Sequence, residues 1–148
     1  MSTAPPFPQA EFLARLRARD PGVAALAGAA TPLLLPGAEG DPCWHLSDSG
    51  RWLLQLLEAR QALLQATHAT RLSADALRRD QKFAPPGRPS LHLVQLRQRQ
   101  AAAQQALRRA KQDFAQAAAG FARSAALAPP ARLGLSEFLQ RWIDRHVL

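Results

Sequence analysis

The sequence predicts an all-α protein: one long antiparallel helical hairpin, with helices at about 51–82 and 91–127, and short N- and C-terminal helices packing at its base. Three observations predict it. The stretches 51–82 and 91–127 contain no proline. Between them, residues 84–90 (APPGRPS) hold three prolines and a glycine, which end one helix and force a turn before the next. Both stretches also carry a seven-residue apolar repeat, the spacing that keeps one stripe of each helix against its neighbour. A short turn between two long helices makes them antiparallel, and at 1.5 Å per residue each is roughly 45–55 Å long.

The elements follow in chain order. Residues 1–8 (MSTAPPFP) are read as a flexible arm, and 9–148 as one helical domain. A first helix spans about 9–19, with Pro8 at its start, Phe12, Leu13 and Leu16 on one face, and Asp20-Pro21 stopping it. Residues 21–30 form a short weak helix at most, because glycines interrupt it. Residues 31–47 are irregular: Leu33, Leu34 and Leu35 lie between prolines, too short a run for a central strand, and read as an extended segment laid over the bundle with Trp44 as a second anchor. Ser47 or Asp48 caps the second helix and Ser90 the third. The third ends at Pro129-Pro130. The last starts near Ser136, with Leu135, Phe138, Leu139, Trp142 and Ile143 at i, i+3, i+4, i+7 and i+8.

In the second helix the seam reads Trp52, Leu56, Ala59, Leu63, Ala66, Thr70, Ser73, Leu77. In the third it reads Leu93, Leu96, Gln100, Ala103, Leu107, Ala110, Phe114, Ala117, Phe121. Alanine alternates with larger residues, which lets the helices approach closely. Thr70, Ser73 and Gln100 weaken the seam towards the turn. The aromatics gather at the other end, where Trp52, Phe114 and Phe121 meet Phe12, Trp44, Phe138 and Trp142 as a core. Leu53, Leu54, Leu56 and Leu57 cover more than half of a helix circumference, so a hairpin alone cannot bury them. Leu54, Leu57, Leu64 and Leu72 lie off the seam, and either the base bundle covers them or another copy of the chain does.

The charge is the most informative feature. The chain of 148 residues holds 19 Lys+Arg against 11 Asp+Glu, a net +8, and 17 of the 19 cations are arginine. Ten of them lie between 71 and 111: Arg71, Arg78, Arg79, Lys82, Arg88, Arg97, Arg99, Arg108, Arg109 and Lys111, opposed only by Asp75 and Asp80. Ten against two leaves the whole +8 on the distal half of the hairpin; the remaining nine cations and nine acids balance. A solvated helical face normally carries both signs. So one-sided a stretch is read as a binding surface for a polyanion or an acidic protein, since arginine is a two-pronged donor to carboxylate and phosphate.

Catalytic, metal and cofactor chemistry find no support in the residues. Cys43 and His45 are two apart on an extended segment, but two ligands do not make a metal site, and one cysteine excludes an internal disulfide. His45, Asp48 and Ser49 have the residue types of a serine triad without its strand-to-helix turn. His68 and His92 are read as solvated. The acids are scattered singly, and no Gly-rich phosphate loop is present. No apolar run reaches the roughly 20 residues of a membrane helix, and MSTAPPFPQAEF does not have the form of a secretory leader. The expectation is therefore a non-enzymatic cytoplasmic, or nuclear, interaction and adaptor subunit that contacts an acidic protein partner through the basic hairpin tip. The alternative is a nucleic-acid-binding accessory protein gripping the phosphate backbone with the same cations and little sequence specificity. Homo-oligomerisation through the leucine-rich faces is a further expectation; membrane binding is not expected.

Overall fold

The computed structural model describes residues 5–83, 87 and 90–147. The expected architecture is present. Helix α2 (Asp48–Phe83) and helix α3 (Leu91–Ser124) pack along one another as an antiparallel hairpin, α1 (Ala10–Arg17) packs on α2, and α4 (Leu135–His146) on α3. The Gln9 side-chain amide donates to Asp144 at 3.4 Å, joining the start of α1 to α4. Phe7 also packs against the core, and residues 1–4 of the expected arm lie outside the described residues.

Local chemistry sets the ends of the helices. The Ser47 hydroxyl accepts from the Gly50 N–H at 3.0 Å, satisfying a free donor of the first turn of α2. The Ser90 hydroxyl accepts from the Leu93 N–H at 3.1 Å and does the same for α3. Helix α1 is shorter than the expected 9–19, because Arg19 turns into the left-handed region at φ 56°. The weak helix expected over 21–30 reduces to one 3-10 turn, Pro21–Val23, in which the Asp20 carboxylate accepts from the Gly22 N–H. Helix α3 stops three residues before the expected 127. Ala126 takes the left-handed conformation at φ 56°, and the Leu127 N–H closes on the Ala122 carbonyl at 2.8 Å.

Residues 31–47 contain more order than expected. Strand β1 (Leu34–Pro36) pairs antiparallel with β2 (Trp44–Leu46) in the register Leu34↔Leu46, Leu35↔His45, Pro36↔Trp44. Leu33 and Leu34 are buried and Trp44 is half-buried against the core, so the segment does anchor on the bundle. The chain crosses α2 at Gly50. A Cβ there would sit 2.1 Å from the Leu33 carbonyl oxygen, so only glycine admits this crossing.

The core lies at the base. Phe12, Leu13, Leu16, Leu53, Leu56, Leu57, Phe114, Phe121, Leu139 and Ile143 are buried, and the rings of Phe121 and Trp142 meet edge to face at 5.1 Å. Towards the turn the seam is polar, as expected. The Thr70 hydroxyl lies 2.8 Å from the Ala66 carbonyl and 3.2 Å from that of Ala103 on the facing helix. The molecule is a thick apolar base bearing a thinner arm.

Candidate interaction surface

Nine of the ten arm cations are described, and all nine are exposed; Arg88 lies outside the described residues. Arg78 pairs with Asp75, and among the described residues the other eight have no carboxylate partner. Asp80 faces His92 instead, at 3.8 Å. The Lys82 ammonium lies 5.6 Å from the centre of the Phe83 ring. Phe83 is 79% exposed and Leu91 74%, so two large apolar side chains stand in solvent beside the cations where the helices meet the turn. Phe83 was legible as the one aromatic of the distal stretch. Leu91 was not: it follows the Ser90 cap and lies outside the seam, which begins at Leu93.

The seven-residue repeat sorts the cations onto two faces of the hairpin. Along α2, Leu57, Leu64, Arg71 and Arg78 form one row; along α3, Ala118, Lys111, Gln104 and Arg97 form another, beside the row Ala122, Ala115, Arg108 and Ala101. At the base these rows are partly covered: Leu57 and Ala118 are fully buried and Ala122 is 6% exposed, although none is a seam residue, while Leu64 is half-buried and Ala115 is already exposed. Helix α4 packs on α3, and its Asp144 lines a cavity of about 370 Å³ together with Gln9, Arg60 and Leu64. The terminal segments thus lie over this face of both long helices. On the arm the same rows carry five cations (Arg71, Arg78, Arg97, Arg108, Lys111) and no acid.

The opposite face is an open groove. It holds a cavity of about 460 Å³, lined by residues including Trp52, Glu58, Ala62 and Asp113, and nearer the tip one of about 370 Å³, lined by residues including Ala69, Leu72, Ala76 and Arg99. Arg99 shares a row with Asp113, Arg79 with Glu58, and Arg109 with Gln116. Both signs occur on this side. The heptad positions alone carry this division of the cations; weighing them as a single stretch conceals it.

The other candidates fall apart or stay minor. The His45 ring bonds the Asp41 carboxylate at 2.9 Å, and the Cys43 N–H donates to the same carboxylate, also at 2.9 Å. These two contacts, His45 first, hold the Asp41 carboxyl below its ordinary value. The site is an exposed pairing between the strand residue His45 and the loop before it, and the described residues contain no group of three His, Cys, Asp or Glu placed to hold a metal ion. Ser49 is buried with its hydroxyl on Thr31, and Asp48 pairs with Arg51, so neither is joined to His45. His68 is half-buried rather than solvated, and its Nε2 is enclosed without a described hydrogen-bond partner. Leu57 is buried and Leu54 and Leu64 are half-buried, so the base covers much of the leucine surface; Leu72 stays 38% exposed.

Fold and surface together define a class: a helical hairpin with an apolar base and a one-sidedly basic arm. The chain matches no family model, no curated protein and no solved structure. No helix among the described residues is long and apolar enough to cross a membrane.

Proposed function

We propose that the protein is a non-enzymatic interaction subunit that contacts an acidic protein partner through the basic arm of its hairpin, with the cytoplasm as its place of action. The observation that carries this reading is the company the cations keep. Eight exposed cations of the arm have no described carboxylate partner, and exposed apolar residues occur on the same arm: Lys82 lies over Phe83, Arg99 lines a cavity with Leu72, and Leu91 stands near the turn. Protein interfaces draw affinity from apolar and arginine anchors and use charge for steering and register. A phosphate grip needs the cations alone.

The second reading is binding to a nucleic-acid backbone, favoured by the arginine content and the undivided +8 of the arm. One set of titrations separates the two. Fluorescence anisotropy with labelled poly-glutamate and with single- and double-stranded nucleic acid is read at about 50 and 200 mM salt, the range over which multi-phosphate binding falls by orders of magnitude. The acidic-partner reading expects the polypeptide to bind. Nucleic acid binding alone, with a steep salt slope, puts the second reading in its place. No binding of either at the lower salt overturns both.

A further inference from the structure

We propose that the partner presents an acidic α-helix, and that this helix lies along the arm as a continuation of the layer that α1 and α4 form at the base. This rests on the reading above and adds the face and the geometry. At the base, the rows through Leu57, Leu64, Ala118 and Ala122 are apolar, and packing buries Leu57, Ala118 and Ala122 and half-buries Leu64. The rows then run on at the same spacing beyond the point where that cover ends. There they hold Arg71, Arg78, Arg97, Arg108 and Lys111, of which only Arg78 has a described carboxylate partner, Asp75. The chain's own packing places one acid of α4 on this side: Asp144 lines the same cavity as Arg60 and Leu64 of α2, although its hydrogen bond is with the Gln9 amide.

The dimensions suit a helix. Arg97 and Lys111 are fourteen residues apart, roughly 21 Å along α3, or about four helical turns. Between the cation rows the floor is small or polar (Thr67, Ala74, Ala101, Gln104), so a third helix can approach to the usual 8–10 Å. Acids repeating every third and fourth residue on such a helix would reach both rows. The opposite groove carries fewer arm cations, Arg79, Arg99 and Arg109 against five; the acids on its side, Glu58 (paired with Arg17 at 3.1 Å) and Asp113, lie at the base.

The test uses the full chain and a stapled helical peptide of about 21 residues, roughly 32 Å long, with Glu at i, i+4 and i+7, alongside a proline-interrupted peptide of equal charge. Two variants remove three cations each: R71Q/R97Q/K111Q on the covered-side rows and R79Q/R99Q/R109Q on the groove side. Both leave every core residue in place, and circular dichroism checks their helix content. The expected result is that the stapled helix binds at least about tenfold tighter than the interrupted peptide, and that the first variant loses about 10- to 30-fold while the second loses less than about threefold. Equal losses in the two variants, or a larger loss in the second, overturn the placement of the helix and leave the acidic-partner reading standing. Equal binding of the two peptides overturns the helical form in the same way. If neither peptide binds at low salt, the placement and the reading beneath it fall together.

Discussion

At Gly50 and Gly120 a single missing Cβ decides how the chain packs. A Cβ on Gly50 would lie 2.1 Å from the Leu33 carbonyl oxygen, a backbone atom held by the Ser47 N–H at 2.9 Å. Gly50→Ala should therefore destabilise by about 1–3 kcal/mol, less the ~1 kcal/mol that alanine gains over glycine in a helix, as read by urea unfolding. A Cβ on Gly120 meets the half-buried Trp52 ring at 2.3 Å, and that ring can swing outward. Gly120→Ala should cost less, and Trp52 fluorescence should shift to the red. Asp20 and Asp41 each contribute to the acid dependence of local stability. The Gly22 N–H, then Arg15, hold the Asp20 carboxyl low; His45, then the Cys43 N–H, do so for Asp41. A depressed folded-state pKa gives a contribution that is present above the unfolded value and lost as pH falls through the folded one. Carboxyl chemical shifts should thus show both groups titrating below ordinary aspartates, and Asp20→Asn should flatten the fall in melting temperature below about pH 4.

The helices were legible in the sequence where a residue type leaves a single physical option. Three prolines and a glycine cannot continue α2, and Ser90 sits where α3 needs an acceptor. The ends that were not legible are made by residues without a signature. Arg19 and Ala126 both take the left-handed conformation, where glycine would have announced the stop. Ala126→Gly should consequently stabilise the protein, by up to about 1 kcal/mol in thermal unfolding. The β1–β2 hairpin was hidden because its strands are three residues each and one contains Pro36, so their pairing depends on burial of Leu33 and Leu34 rather than on strand propensity. The long helices should also differ along their length. Their base half surrounds fully buried Leu53, Leu56 and Phe121, whereas the arm half sets half-buried Thr70, Ser73 and Leu77 of α2 against Leu93 and Leu96 of α3, which are 6% and 7% exposed. Amides of 70–83 should exchange at least about tenfold faster than those of 53–63.

The whole molecule divides stability from recognition. The base holds the aromatic core and balanced charge; the arm holds the excess charge and little core. That division was legible from the placement of ten cations within 71–111. Which of the two faces the terminal helices overlie at the base was not, because their packing on α2 and α3 is a tertiary fact. One-sided charge of this kind accelerates encounter and is screened by salt, so the association rate of an acidic partner should fall as salt rises while the dissociation rate changes less.

The most direct test of this account is a titration of the ¹⁵N-labelled protein with the stapled acidic helix, followed by amide chemical shifts. Perturbations are expected to concentrate at Arg71, Arg78, Arg97 and Lys111, with the amides around Leu139, Trp142 and Ile143 unmoved. Shifts centred instead on the base, in the cleft of about 620 Å³ lined by residues including Phe138, Arg141 and Trp142, would contradict it and move the binding surface off the arm.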